Sequence, residues 1–369
     1  MGVAAGRGGL IRVTRRAALA LFSACILGPL VSCSAAPSPP ATPGKTAAWQ
    51  EQVMEAKMKV NEIRVVFDNG MHNAFTSIAW FRGAPYVAFR CGVDHVSPEG
   101  RVLVLRGNAE GDYWQPVASI YAGADTRDPK LLVTDKGLYV YCFSYRREKD
   151  NTLDCASGYA FSEDGDFWQP WVAVERDWIY WRPERFGDTC YVAAYSTDRL
   201  GRVRLLRSAD GASWQDICVL VDDEPNFANE VALAMEPGGR MWALIRRDRG
   251  SGRPLFGWAD APYADWHLQE LPLKLEGPYM WIARGNIYIS GRWYHASGLD
   301  NTAIFLMREG APTPLYVLPS GGDTSYMGAC AIPGSEERHW WLTYYSSHAY
   351  LVRGKTQRSA IYLADVSFE

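Results

Sequence analysis

From Glu62 to the C-terminus, short apolar segments alternate with polar turns, many of them marked by glycine. Each unit reads as an apolar strand, a glycine-containing turn and a second strand. The units start near His72 (HNAFTSIAW), Arg127 (RDPKLLVT), Arg182 (RPERFG), Glu230 (NEVALAM), Pro278 (PYMWIA) and Ser325 (SYMGACAI), at separations of 55, 55, 48, 48 and 47 residues. Six antiparallel units at this spacing predict an all-β fold, a six-bladed β-propeller, in which each repeat buries its faces against its neighbours. A β-sandwich would not produce six evenly spaced units. Closing the ring calls for residues 63–67 as an outer strand of the last blade, with residues 359–368 as that blade's third strand.

A second series alternates with the first. Ser-x-Asp-Gly-x-x-Trp occurs at residues 162–168 and 208–214, with degenerate copies ending at Trp114 and Trp266. The tryptophans are 54, 46 and 52 residues apart. In such a turn the aspartate accepts backbone N–H bonds, the glycine takes a positive φ and the tryptophan packs beneath. These aspartates are structural devices, expected between the third and fourth strands of several blades.

Composition agrees with this pattern. The chain has 369 residues, 48% hydrophobic and 21% charged, which excludes wholesale disorder. Its 15 Trp, 20 Tyr and 13 Phe, with 34 Gly and 21 Pro, favour β-structure with many turns. The four charged residues before Cys33 are all arginines, so a chain starting at Cys33 keeps 34 of the 38 basic residues against 41 acidic ones, a net charge of −7. That argues against a nucleic-acid partner.

The N-terminus reads as an address. Arg15 and Arg16 precede an apolar run over residues 17–31, too short to span a bilayer, which needs ~20 residues. The paired arginines suggest twin-arginine export. Leu30-Val31-Ser32-Cys33 resembles the bacterial lipoprotein processing box, which makes Cys33 the expected lipid attachment point and the membrane a partner through that anchor. The expected organisation is a signal peptide over residues 1–32, a tether and short segment over 33–61 that includes a short helix over residues 46–59, and the propeller over 62–369. Localisation is expected at the cell envelope, on its periplasmic or extracellular face. Six cysteines remain beyond Cys33. Cys142 and Cys155 are candidates for a bridge across a hairpin, and buried free thiols are the alternative. No Cys-x-x-Cys or Cys/His ligand spacing occurs, so neither a metal nor a cofactor is expected.

The aspartate turns and the blade pattern together resemble the sialidase (neuraminidase) superfamily over roughly residues 62–369. HNAFTSIAWFRG, HVSPEGRVLVLR, RDPKL, NEVALA, LPSGGDTSY and YYSSH are similar to a bacterial group of sialidase-like proteins with Asp-box (BNR) repeats. The resemblance implies an exported glycoside hydrolase with a tyrosine nucleophile, a glutamate as its base, an acid and an arginine cluster for a substrate carboxylate. Glu230 matches the glutamate and Tyr326 the nucleophile, 34 residues after Arg292. Arg246 and Arg292 match the second and third arginines. Each lies seven residues beyond a turn glycine, Gly239 and Gly285, and Arg90 lies seven beyond Gly83. A shared offset on a period-two strand predicts one face for all three. Arg247, on the opposite face, is the expected structural ion-pair partner.

Blade one departs from the family. His72-Asn73-Ala74-Phe75 stands where sialidases carry an Arg-Ile-Pro motif, so Arg90 or Arg127 must compensate and sialosides are expected to be poor substrates. Asp94 or His95 is the candidate proton donor. Asp323 is expected to position Tyr326 or to share acid/base work. Further polar residues fall where blades face the axis: Arg127 and Asp128, Arg182 and Glu184, Tyr345 and His348. Trp181, Trp281 and Trp293 are candidate sugar-stacking walls. The leading expectation is an exo-glycosidase on a terminal, possibly acidic sugar. A non-catalytic carbohydrate-binding propeller and a lyase on uronic-acid glycans, with His72 or His95 as base and Tyr326 as acid, stay open.

Overall fold

A computed structural model of the chain describes residues 58–147, 153–294, 300–351 and 357–369. The expected signal peptide over residues 1–32 and residues 33–57 of the expected tether segment, Cys33 included, lie outside the described residues. The strands form six four-stranded antiparallel sheets. Their first strands are His72–Phe81, Asp125–Val133, Trp178–Phe186, Ala228–Met235, Leu275–Ala283 and Thr324–Ala331, for blades one to six. The first strands of neighbouring blades pack on each other all the way round, blade six against blade one included. The protein is a six-bladed β-propeller.

Hydrophobic patterning explains the ring. A strand inside a blade is covered on both faces, so its residues are almost all buried, as in Ala84–Gly92. Outer strands such as Ala311–Val317 are covered on one face only, so most of their residues are exposed. Five of the six apolar clusters each fill one junction between neighbouring blades, and the sixth joins blades six and one and also takes in Phe143 and Cys155 of blade two and Ile179 and Trp181 of blade three. Blades five and six share Tyr279, Tyr288, Met327 and Leu342, and blades three and four share Leu205, Leu220, Val231 and Ile245.

Blade six is closed by two segments far apart in the sequence. Met58–Phe67 pairs antiparallel with Ala360–Phe368, which covers an otherwise open sheet edge. This strand starts at Met58, five residues before the expected start at residue 63, and Met58 and Lys59 belong to it. That corrects the expected helix over 46–59 at its end, and the rest of that segment lies outside the described residues. The physical reason is pairing: Lys59 and Val60 find strand partners in Ser367 and Val366.

The aspartate turns connect third to fourth strands. In one, Asp164 Oδ1 accepts the N–H groups of Asp166 and Phe167 at 2.9 Å, and the Trp168 indole donates to Gly165 O at 3.1 Å. The next turn also latches blades together, because Tyr139 donates to Asp210 O across the junction at 3.2 Å. The six described cysteines are all free. Cys142 lies opposite Gly158 and Cys155 opposite Tyr145, so the two thiols are three rungs apart on different faces and form no bridge.

Candidate active site

Every blade's first strand carries a bulge at the same place. Pairing with the second strand slips between Ala74 and Ser77, Arg127 and Lys130, Trp181 and Glu184, Ala228 and Val231, Glu276 and Tyr279, and Ser325 and Gly328. An extra residue breaks the alternation of faces and re-aims a side chain. The first bulged residues are Phe75, Asp128, Arg182, Asn229, Gly277 and Tyr326. All but Asn229 have a left-handed φ, between 49° and 63°. Four of these five are not glycine, a strain of about 1–2 kcal/mol each that marks sites where position matters more than comfort. Glu230 is the second bulged residue of blade four.

Four of the expected residues meet here. The Tyr326 hydroxyl donates to Glu230 Oε1 at 2.9 Å and accepts from Arg246 Nη1 at 2.8 Å, while the same Nη1 donates to Glu230 Oε1 at 2.9 Å. Arg246 also pairs with Asp248 at 2.7 Å and Glu276 at 3.2 Å. Arg292 approaches Glu276 at 3.6 Å and Asp323 at 2.8 Å, and it donates to Thr324 O and the Tyr345 hydroxyl. Glu276 thus ties the two arginines together.

Arg246 reaches this position by a different route from the one its spacing suggests. Arg90 and Arg292 are register equivalents, opposite Ala74 and Glu276 respectively. In blade four the equivalent residue is Arg247, opposite Ala228. The hairpin at residues 236–240 is longer, so the common seven-residue offset slips by one and Arg246 falls opposite the bulge. Arg247 points elsewhere, onto Glu270 and Arg253 O.

Burial raises the Tyr326 hydroxyl well above its ordinary value, against the pull of Arg246 and Arg292. Burial also raises the Glu230 carboxyl, opposed by Arg246 and reinforced by Asp128 and Asp248. Asp323 behaves oppositely. Burial would raise it, but hydrogen bonds from His72 and His95 and the Arg292 charge hold it well below the usual carboxylate range.

Asp323 is an anchor with both oxygens in use. Oδ2 faces His72 Nε2 at 2.8 Å and His95 Nδ1 at 2.7 Å, and Oδ1 accepts from Arg292 at 2.8 Å and Tyr345 at 2.6 Å. The far nitrogen of each histidine faces an arginine: His72 Nδ1 lies 3.2 Å from Arg90 Nη1 and His95 Nε2 lies 3.4 Å from Arg127 Nη2. Guanidinium can only donate, so each imidazole carries its proton on the nitrogen facing Asp323. His72, His95 and Asp323 have ligand atoms within 4.8 Å of one another, close enough for a metal ion. The fixed protons leave no lone pair on those nitrogens for a cation, so the donor set does not suit one.

The remaining expected residues separate. Arg90 is completely buried and pairs bidentately with Asp125 at 2.7 and 3.1 Å, so it supports the loop over residues 94–97 and is not available to a ligand. Arg182 turns away, donating to Met327 O at 2.7 Å and lying over the Tyr279 ring, and with Glu184 it lines a separate cavity of about 450 Å³. Asp94 is exposed, and its backbone carbonyl is what accepts from Arg90. Trp181 and Trp281 are buried in packing, against Tyr326 and against Tyr279 and Tyr288, so neither is a stacking wall. Trp293 is half-buried against Phe305.

An open pocket of about 280 Å³ adjoins the Tyr326–Glu230 pair. Its aromatic surfaces are Phe75, Phe143, Tyr145, Tyr195 and Phe227, and its polar ones include His95, Arg127, Asp128, Glu230 and Asp248. Two buried carboxylate oxygens of this pocket, Glu230 Oε2 and Asp128 Oδ1, have no hydrogen-bond partner among the described residues. Sequence spacing gave Asp128 no distinct role and passed over Glu276, Asp248 and Gly277. Repeated bulges were the missing signal, because the run Arg-Asp-Pro in blade two occupies the same offsets as Ser-Tyr-Met in blade six.

The sequence matches no protein-family model and no curated protein. Solved structures do resemble it. A protein of unknown function from Dyadobacter fermentans DSM 18053 aligns at a TM-score of 0.71 with 17% identity, covering 85% of this chain and 99% of that one. An alpha-L-arabinanase from Penicillium chrysogenum, complexed with arabinobiose, gives 0.62 and 12%, covering 83% and 98%. A Trypanosoma rangeli sialidase in complex with sialic acid gives 0.58 and 11%, covering 85% of this chain and 59% of that one. At these identities the likeness establishes the fold, a propeller shared with sialidase and arabinanase structures.

Proposed function

We propose that this chain is a retaining, exo-acting glycoside hydrolase that removes a terminal uncharged sugar from a glycan. The observation that carries the reading is the Tyr326 hydroxyl, which donates to Glu230 at 2.9 Å and accepts from Arg246 at 2.8 Å. Tyrosine is a weak nucleophile until a base removes its proton. Glu230 is that base, and Arg246 stabilises the phenolate as it forms. A tyrosine nucleophile lies outside the usual two-carboxylate scheme.

Charge decides the substrate class. Arg246 and Arg292 sit among four carboxylates, those of Glu230, Asp248, Glu276 and Asp323. An anionic sugar would have to displace these existing pairs to reach either guanidinium. The acidic-sugar clamp is therefore the weaker reading, and an uncharged sugar the stronger. Similarity to an arabinanase structure supports a carbohydrate substrate, although fold alone does not dictate chemistry. The lyase reading loses support because His72 is fully buried and both ring nitrogens of His72 and of His95 are engaged, each by Asp323 and an arginine. Export and lipidation at Cys33 belong to the same proposal, supported by Arg15-Arg16 and the Leu30-Val31-Ser32-Cys33 box.

The test is a panel of 4-nitrophenyl glycosides, pyranosides and arabinofuranosides, with matching oligosaccharides. Wild type is expected to release a sugar whose anomeric configuration, followed by NMR, is retained. Tyr326→Phe and Glu230→Gln should each lower kcat by about 10²-fold or more while circular dichroism stays unchanged. Near-wild-type turnover in both variants refutes the mechanism.

A further inference from the structure

We propose that Asp128 is the proton donor of this site, supplying the acid/base carboxyl that the blade-one loop was expected to supply. The inference rests on the tyrosine-nucleophile reading above.

Neither blade-one candidate suits the role. Asp94 is exposed and does not line the pocket that holds Glu230 and Tyr326. His95 does line it, but its proton is committed to Asp323, and its other nitrogen faces an arginine donor. Asp128 lines the same pocket as Glu230 and Tyr326 and is itself buried. Asp128 lies close enough to Glu230 and Tyr326 to interact electrostatically with both, which puts all three in one neighbourhood.

Three features distinguish Asp128 from an ordinary buried carboxylate. Among the described residues its Oδ1 has no hydrogen-bond partner, while Oδ2 has a loose ion pair with Arg127 Nε at 3.7 Å. Structural carboxylates in this protein are tightly held; Asp125 takes Arg90, Arg127 and the Ser97 N–H. The backbone at Asp128 is left-handed, with φ 50°, in the same bulge position that gives Tyr326 a φ of 49°. One device thus presents the tyrosine from blade six and the carboxyl from blade two, with Glu230 in blade four.

The steps balance as follows. Tyr326 Oη bonds to the anomeric carbon and its proton passes to Glu230. The bond from that carbon to the glycosidic oxygen breaks, its electrons stay on oxygen, and the oxygen takes the proton of the Asp128 carboxyl. In the second half Asp128, now a carboxylate, takes a proton from water. The water oxygen bonds to the anomeric carbon, the tyrosine leaves as phenolate, and Glu230 returns the proton to it. Both carboxyls end as they began.

The test varies the leaving group. Asp128→Asn is assayed on the 4-nitrophenyl glycoside and on the matching disaccharide that wild type cleaves. A nitrophenolate leaves without protonation, whereas a sugar alkoxide does not. The expected result is a loss of about 10²–10⁴-fold on the disaccharide with a far smaller loss of first-step rate on the aryl substrate. Added azide should restore turnover in Asp128→Ala by giving the glycosyl azide, because azide needs no general base. Asp128→Glu, which keeps a carboxyl, should recover part of the disaccharide activity. Equal losses on both leaving groups without azide rescue would mean a structural role and overturn the proposal, as would the leaving-group-selective loss appearing in Asp94→Asn instead. If Tyr326→Phe and Glu230→Gln are inactive but Asp128→Asn is not, this inference alone fails. If those two variants keep turnover, or wild type cleaves no member of the panel, the enzyme reading fails with it.

Discussion

Replacing Gly277 by alanine should damage activity far more than stability. Gly277 is the first bulged residue of blade five, with φ 59°, and a Cβ built there would lie 2.9 Å from Tyr326 Cδ2 and Cε2. The left-handed backbone alone costs an alanine about 1–2 kcal/mol. For a domain of this size that corresponds to a fall in Tm of only a few degrees. The clash is a different matter, because real Cβ contacts are essentially never that close, so ring or backbone must shift. The ring is hemmed in by Phe75 at 5.0 Å and Trp181 at 5.8 Å, centroid to centroid, and its hydroxyl is held by Glu230 and Arg246. Displacing the nucleophile by about 1 Å is enough for a 10²-fold loss of rate. Kinetics on the best panel substrate, with thermal unfolding on the same preparation, give both numbers. A Gly277→Ala enzyme with wild-type kcat would show that Tyr326 does not need this position and would refute the reasoning.

Glu230 must be ionised to take the tyrosine proton, and burial raises its pKa above the ordinary 4.5. Activity should therefore be lost as pH falls through a value higher than 4.5, and a kcat/KM profile whose acid limb lies at or below 4.5 would contradict this assignment. Arg90→Met leaves the buried Asp125 short of its main partner and should cost about 3 kcal/mol in urea unfolding, at the low end for a broken buried pair because Arg127 and the Ser97 N–H remain. A cost under about 0.5 kcal/mol, the range of ordinary surface changes, would show that the pair is not structural. Cys33→Ala should move the protein from the membrane to the soluble fraction on cell fractionation, and unchanged membrane retention would rule out lipid anchoring at that residue.

The ring itself was legible in the sequence because it is a local, repeated requirement. Each blade needs apolar strands, glycine turns and a fixed length, so six evenly spaced units with aspartate turns carry the count and order of the blades. Glu230, Tyr326 and Arg292 were legible for a related reason, since each stands at a fixed distance from a turn or strand start, whereas the offset of Arg246 pointed to the wrong rung. What the one-dimensional pattern could not carry is how a bulge redirects side chains. Two residues then oppose one, the period of two fails locally, and a side chain opposite the bulge is re-aimed: Arg246, one rung out of register with Arg90 and Arg292, reaches Tyr326, while Arg90, in the same register as Arg292, is sealed in by its pair with Asp125. Pairings across the axis were equally hidden. Asp323 reaches His72 over 251 residues of sequence and Tyr326 reaches Glu230 over 96, so which arginines are already neutralised was decided only when the ring closed. Charge compensation depends on distances in space, and those are set by the packing of all six blades together.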